Sequence, residues 1–479
     1  MDQKITHIAI MPTPGISHLI PSIEFAKRLA LHPNFHITCF LLTTMEEHNS
    51  PLPPPKKAIL DSLPNSIHTV FLSPVNFDDL SEDSVSEFKL TLTITRSLSS
   101  LKKELESHSF SAFIADPFGF EALELAKGLK IPSFVFFFTN AMALALFLYL
   151  PKLDSELPDS VRFMKDLPDP IRLPGCVPLS GKDMIEPLQD RESRIYKSFF
   201  EISKGLYLAD GIIINSFWEM ESEAMKALEA NEKVPRVFSV GPIVQAGLSD
   251  VAESECLTWL DEKPRGSVLY VSFGSGGTLS SDQMNELALG LEMSGQNFLW
   301  VVRKPDNKSS NGAYLKESSD QSQKNDAFDF LPNGFLERTR ERGLVVQSWV
   351  PQVQVLAHDS TGGFLTHCGW SSILESIVNG VPFIVWPLFA EQKMNAVMLV
   401  DGLHVALRPK KNENNIVGRD EISRVVKVVM EKSCEEGMEI GKCMNELKDN
   451  AIKALGEDGS STKAFSELAF MLRNSSNSS

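Results

Sequence analysis

The stretch Trp349–Gln392, WVPQVQVLAHDSTGGFLTHCGWSSILESIVNGVPFIVWPLFAEQ, holds more candidate chemistry than any other part of the chain. Its centre, residues 363–380, reads as a short apolar strand (Phe364, Leu365), a sharp His367-Cys368-Gly369 turn, and a helix that Gly380 and Pro382 stop. A strand passing through a glycine turn into a helix makes an anion site, because the unpaired N–H groups of the first helical turn point at whatever sits there. His367, Ser371 and Ser372 line that opening, and Glu375 shares the helix face of the two serines one turn deeper. A second strand, 382–387, then delivers Glu391 and Gln392 to another strand-to-helix junction. The pattern suits a ligand with phosphates at one junction and hydroxyls near carboxylates. The same residues also fit plainer roles. Ser372-Ile373-Leu374-Glu375 fits a capping box, and Trp349, Trp370 and Trp386 suit a core. His367 and Cys368, being adjacent, do not match the spacing of metal ligands. Residue chemistry alone gives an anion pocket and no reaction.

Around this stretch lies a chain of 479 residues, 43% of them hydrophobic, enough for a large core and too long for one ordinary domain. A formal net charge of -16 argues against nucleic acid or an anionic membrane as partner, although backbone N–H groups at a helix start still accept phosphate. The cysteines, at 39, 176, 256, 368, 434 and 443, form no C-x-x-C and suit reduced thiols in a cytoplasmic protein. IPSFVFFFTNAMALALFLYL, residues 131–150, approaches the length of a membrane span. Pro132, Ser133, Thr139 and Asn140 interrupt it, so a buried strand followed by a buried helix is the better reading. No integral membrane span and no secretory address is expected.

Apolar runs at 5–11, 35–42, 67–72, 110–115, 133–138 and 211–215 alternate with helical patterns, and so do runs at 267–273, 298–302, 343–347, 363–366 and 382–386. Such alternation implies parallel strands covered by helices, in two doubly wound sheets whose ligands sit at the carboxyl ends of the strands. Two residues fall at such ends in the first half. His18 follows the first strand in PTPGISHLIP, with Pro21 expected to open the next helix, and Asp116 follows the run 110–115. The turn Gly274-Ser275-Gly276-Gly277 lacks the Walker lysine and the G-x-G-x-x-G spacing. Beside the His367 turn it becomes a candidate second wall of a diphosphate site, with a helix start behind each turn. The expected division is 1–240 as an N-terminal acceptor-binding domain, 241–256 as linker and 257–460 as a nucleotide-binding domain. Residues 461–479 are expected to form a helix returning to the first domain and a disordered tail. Residues 151–190 read as loops, and 305–327 as a polar surface insertion.

Taken together, W-x-P-Q from Trp349, H-C-G-W-x-S from His367, Glu375, G-V-P from Gly380 and the closing Glu391-Gln392 resemble the signature box of the plant UDP-dependent glycosyltransferases of secondary metabolism. G-x-x-H-x-x-P from Gly15, Asp116 and S-F-G-S from Ser272 extend the likeness over nearly the whole chain. The wording PGCVP at 174–178 and SFGSGGTLS at 272–280 resembles the phenol-glucosylating group of that family, hydroquinone glucosyltransferases among them. The resemblance implies an α/β fold of two Rossmann-like domains facing across a cleft, called GT-B. It also implies inverting transfer of glucose from UDP-glucose to a small hydroxylated acceptor by a monomer. UDP-glucose is then a co-substrate, with no cofactor and no metal, in keeping with the absence of any D-x-D triplet.

By the same resemblance, Trp349 stacks on uracil, Val350 and Gln352 contact base and ribose, and Glu375 holds the ribose hydroxyls. His367, Ser372 and Ser275 touch the phosphates, while Trp370, Glu391 and Gln392 face the sugar, with Thr139 reaching over from the first domain. Ser371 stands where the family has Asn, which shortens a polar group near the phosphates. Glu391 replaces a frequent Asp, and Ser17 a frequent Gly. A phenol of pKa about 10 attacks poorly until it loses its proton. His18, at the positive end of a helix, is expected to be neutral and able to take that proton, with Asp116 holding its other ring nitrogen. Phe118, Phe147, Met184 and Phe199 are the expected acceptor-pocket residues. The doubly wound halves also allow a nicotinamide-dependent oxidoreductase, although G-x-G-x-x-G is missing, and the altered Ser17 and Ser371 allow a nucleotide-sugar-binding protein without catalysis.

Overall fold

The computed structural model describes residues 5–79, 86–245, 254–307, 328–347, 349–431 and 433–474. They fall into two compact units. The first comprises Met1–Pro178, Pro187–Gln245 and Lys453–Ser479, and the second Leu179–Glu186 and Ala246–Ile452.

In the first unit the chain runs β1 (Thr6–Met11), α1 (Ile16–Ala30), β2 (Phe35–Leu41), β3 (Ile67–Phe71), β4 (Ala112–Ala115) and β5 (Ser133–Phe137). It continues through α2 (Ala141–Glu156), α3 (Arg194–Leu206), β6 (Gly211–Ile214) and β7 (Val237–Ser239). The strands pair in parallel in the order β3-β2-β1-β4-β5-β6-β7. Runs such as Ile212-Ile213-Ile214 are buried on both faces, as a parallel sheet covered by helices requires. Strand order reverses between β1 and β4, so the loops after these two strands part and leave a crevice at the carboxyl edge. Asp116 directly follows β4, and His18 lies in the first turn of the helix after β1.

The second unit runs β8 (Val268–Ser272), α4 (Ser281–Ser294), β9 (Asn297–Val302), β10 (Gly343–Gln347), α5 (Gln352–Ala357) and β11 (Thr361–Thr366). Then come α6 (Trp370–Asn379), β12 (Phe383–Val385), α7 (Gln392–Val397) and β13 (Ala406–Leu407). This sheet, ordered β10-β9-β8-β11-β12-β13, reverses between β8 and β11. The Gly274 and His367 turns follow these two strands, so this sheet too has its candidate residues at the reversal. The last helix, α8 (Ser460–Asn474), belongs to the first unit. Its Phe465, Leu468, Ala469 and Leu472 join the core formed by Ile8, Phe25 and Phe136. Phe465 lies 6.0 Å from the Phe25 ring and stacks on His32 at 5.4 Å.

Several boundaries differ from those expected. Helix α1 starts at Ile16 rather than Pro21, because Gly15, at φ 116, turns the chain and offers its carbonyl to the N–H groups of His18 and Leu19. Pro21 therefore lies inside the helix, and His18 in its first turn. Helix α2 passes through Pro151 to Glu156, so the irregular stretch begins later than expected. The segment Leu179–Glu186 packs with the second unit, and the return to the first begins at Lys453 rather than 461. The outermost strands, β7 and β13, have three and two residues, too few to show a pattern in the sequence. Of the expected linker, residues 246–253 lie outside the described residues, as do 308–327 of the polar insertion and 475–479 of the tail. Phe465→Ala should cost about 3 kcal/mol or more, as large-to-small changes in a packed core do, lowering the urea midpoint of the first unit. An unchanged midpoint would mean that α8 adds nothing to that core.

Candidate active site

In the first unit, Met11 and Ala115 end their strands in register, which brings the two following loops side by side. Asp116 accepts four hydrogen bonds there. The Thr13 hydroxyl donates to Oδ1 at 2.5 Å and the Thr13 N–H to Oδ2 at 2.8 Å. The Phe118 N–H reaches Oδ1 at 3.1 Å, and His18 Nδ1 lies 2.9 Å from Oδ2. The carboxylate is fully buried and the His18 side chain 14% exposed. The bond to Asp116 suits an Nδ1–H donor, and in the neutral tautomer that makes it Nε2 is the acceptor. The rings of Phe118 and Phe138 stand edge-on to His18 at 5.4 and 4.8 Å. Phe199 continues the wall, 5.7 Å from Phe118 and 5.6 Å from Phe147. Three of the four expected acceptor residues thus form one aromatic surface with His18. Met184, buried, lies on the segment Leu179–Glu186, which groups with the second unit.

Thr139 precedes Asn140, the N-cap of α2, and its buried hydroxyl oxygen has no hydrogen-bond partner. The start of α2 is already filled. Asn140 accepts from the N–H of Ala143 at 2.7 Å, and Glu221 from those of Ala141 and Met142 at 3.0 Å each. Burial pushes the Glu221 carboxyl above its usual range, against the opposing hydrogen bonds from Ser216, Ala141 and Met142.

In the second unit, α6 follows the N-cap Gly369 with no side-chain cap and no acidic residue in its first turn, an arrangement that suits an anion. Cys368, at φ 68, makes the sharp turn before it. The His367 ring lodges between Gly274 and Gly369, where an added Cβ would come within 2.4 and 2.5 Å of Nε2. Burial, and secondarily the charge of Arg303, lowers the His367 pKa to about 4, so the ring is neutral; its buried Nδ1 has no partner. Arg303 also donates to the Gly274 carbonyl, pinning the glycine turn.

Gln352 joins two predicted residues, its amide donating to Ser372 Oγ at 2.9 Å and to Glu375 Oε2 at 2.7 Å. The Tyr270 hydroxyl donates to the Gln352 carbonyl at 3.2 Å. Burial raises the Glu375 pKa to about 7, only partly offset by the Gln352 bond. Ser372 is the third residue of α6 and not its cap, so the capping-box reading of Ser372 and Glu375 fails. Trp349, at the end of β10, leaves 63% of its surface exposed, whereas Val350 and Trp370 are buried. Ser275 and Ser371 are exposed, and Glu391 caps α7 by position. Gln392 accepts from the N–H groups of Leu388 and Phe389 at 2.9 and 3.0 Å, shaping the loop before it.

A strand reversal with an uncapped helix start and a buried carboxylate beside it is a place where an open α/β sheet can take an anionic ligand. Residues 94–439 match the family model described as UDP-glucoronosyl and UDP-glucosyl transferase. The chain belongs to the UDP-glycosyltransferase family. It is 51% identical over 469 residues to a hydroquinone glucosyltransferase of Rauvolfia serpentina, covering 97% of each chain. To UDP-glycosyltransferase 72B1 of Arabidopsis thaliana it is 47% identical, over 98% of this chain and 96% of the relative. Among solved structures it resembles Phytolacca americana UGT2 complexed with UDP-2fluoro-glucose and pterostilbene, with a TM-score of 0.87 and 45% identity, covering 98% of this chain and 100% of that one. The enzyme is a UDP-glycosyltransferase with the two Rossmann-like units of the GT-B fold, and the oxidoreductase alternative falls.

Two features of the glycosyltransferase correct the sequence reading. Only one of the two glycine turns leads directly into a free helix start. Helix α4 begins beyond Ser280, which caps the Gln283 N–H, while Asn307 takes the Ser281 N–H at 2.9 Å. Asn395, unnoticed in the sequence, donates to the Cys368 carbonyl at 3.0 Å and so ties α7 to the turn before α6. Its signal was its place three residues after Gln392, on the same helix face. Thr13, Phe138, Tyr270 and Arg303 were also missed. Among the described residues no group of three His, Cys, Asp or Glu side chains is placed to hold a metal ion, and no helix is long and apolar enough to cross a membrane.

Glu375 also sets a pH test of this geometry. Its folded pKa lies above the usual 4.5, so the folded state holds the proton more tightly than the unfolded chain. The stability this brings is present at acid pH and lost as pH rises through about 7. Glu375→Gln should therefore raise stability by about 3 kcal/mol at pH 8 and by only about 1 kcal/mol at pH 5, read by urea denaturation at both pH values. A gain of equal size at both would refute the raised pKa.

Proposed function

We propose that the enzyme transfers glucose from UDP-glucose to a hydroxyl of a small phenol or related plant metabolite, with inversion at the anomeric carbon. The observation that carries this reading is the His18–Asp116 pair: a carboxylate saturated by donors holds Nδ1–H, which leaves Nε2 unprotonated beside an aromatic wall. The acceptor O–H gives its proton to Nε2 as its oxygen bonds to the anomeric carbon, while the bond from that carbon to the diphosphate breaks and its electron pair leaves with UDP. Asp116 stabilises the imidazolium that forms. Phe118, Phe138, Phe147 and Phe199 suit a flat aromatic acceptor. The hydroquinone glucosyltransferase relative and the pterostilbene bound to the Phytolacca enzyme are consistent with that chemistry.

On the donor side, Trp349 is assigned to uracil, Val350 and Gln352 to base and ribose, and Glu375 to the ribose hydroxyls. The α6 start, His367, Ser275, Ser371 and Ser372 are assigned to the diphosphate. Trp370, Glu391, Gln392 and the unpartnered hydroxyl of Thr139 are assigned to the sugar. Preoriented N–H groups and hydroxyls can stabilise the charge growing on UDP without a metal ion. The six thiols are unpaired, which suits a monomer working in the reducing cytoplasm.

The test is turnover of UDP-glucose with a phenol panel in the presence of EDTA. Full activity with EDTA and formation of the β-glucoside are expected. His18→Ala should lower kcat by at least ~100-fold with UDP affinity retained, the usual value of a general base. Near wild-type turnover in that variant would sink the base assignment, and donor binding without any product would leave a nucleotide-sugar-binding protein.

A further inference from the structure

We propose that Thr13 is a positioning residue for the base: it holds the Asp116 carboxylate in the one orientation that presents Oδ2 to His18. The proposal rests on the reading of His18 and Asp116 as base and partner. Thr13 is 1% exposed and bonds both carboxylate oxygens at once, its hydroxyl on Oδ1 at 2.5 Å and its N–H on Oδ2 at 2.8 Å. A carboxylate gripped at both oxygens cannot turn about its Cβ–Cγ bond. The grip is prepared in advance by the sequence Pro12-Thr13-Pro14. Pro12 fixes its own φ, and Pro14 confines Thr13 to extended conformations, so little chain entropy is lost when the two bonds form.

The remaining neighbours cannot replace this grip. Phe118 and Phe138 enclose the imidazole with ring edges, which give shape but no acceptor for Nδ1–H. Without the Thr13 hydroxyl, Oδ1 keeps one donor, the Phe118 N–H at the longer distance of 3.1 Å. The carboxylate then gains freedom to rotate, and the direction of the Nδ1–H bond, and with it that of Nε2, is no longer fixed. A hydrogen bond to a charged group is the stronger kind, and its loss where orientation governs the rate is expected to lower kcat about 10- to 100-fold.

Thr13→Val keeps the shape and the backbone N–H but removes the hydroxyl, whereas Thr13→Ser keeps the hydroxyl. With a simple phenol as acceptor, Thr13→Val is expected to lose kcat by that factor with KM for UDP-glucose unchanged, and Thr13→Ser to stay within about 3-fold of the wild type. With a nitro-substituted phenol already ionised at the assay pH, no proton need be taken, and the deficit of Thr13→Val should shrink several-fold. A residue that merely ties two loops together would depress both acceptors alike, and that result overturns the proposal. So does wild-type kcat in Thr13→Val. Should Thr13→Val fail to fold, judged by thermal melting, Thr13→Cys against Thr13→Ser makes the same comparison, a thiol being a weak donor of nearly the hydroxyl's size. His18→Ala separates the two readings. If it is inactive while Thr13→Val and Thr13→Cys are normal, the base stands and the positioning role falls; if it is active, the base reading itself has failed.

Discussion

Every strand pairing in the two named sheets is parallel, and a parallel strand can be reached only by crossing over the sheet face. Right-handed crossovers fill one face until the strand order reverses, and at that reversal two loops part. The first sheet reverses between β1 and β4 and the second between β8 and β11. The His18–Asp116 pair and the Gly274 and His367 turns grow from these two places. His18 and Asp116 are 98 residues apart, yet within hydrogen-bond distance, because the chain segments that carry them follow the two strands on either side of one reversal.

The two sites solve different electrostatic problems. Beside His18 the buried Asp116 carboxylate has its oxygens satisfied by protein donors. Around Glu375 and His367 burial goes the other way and leaves both groups readily neutral, one carboxyl raised to about 7 and one imidazole lowered to about 4. A carboxyl that titrates near 7 takes its charge readily once donors arrive beside it.

Strands, their order of appearance and the residues at their ends were legible in the sequence, because parallel buried strands leave unbroken apolar runs and the polar residue that follows each run marks its carboxyl end. Three kinds of feature were not. The start of α1 depended on the φ of Gly15, and the proline rule placed it at Pro21 instead. The filled start of α4 depended on Asn307, which lies 26 residues from the N–H that it occupies. The grouping of Leu179–Glu186 with the second unit was not foreseen either, because a chain leaving one unit for another leaves no mark in composition. Thr13 escaped notice for a related reason: its partner is 103 residues away, and only strand register shows that they meet.

Helix α8 has a consequence for how the chain is made. The first unit's core includes Phe465, Leu468 and Leu472, contributed by a helix that follows the second unit in the chain, whereas the core cluster of the second unit lies wholly before that helix. Domains usually fold in the order of synthesis. Here the unit that begins first is completed only after the second, so its sheet keeps an open flank through translation of the second unit, and the nascent enzyme completes the sheet of His367 before the one of His18.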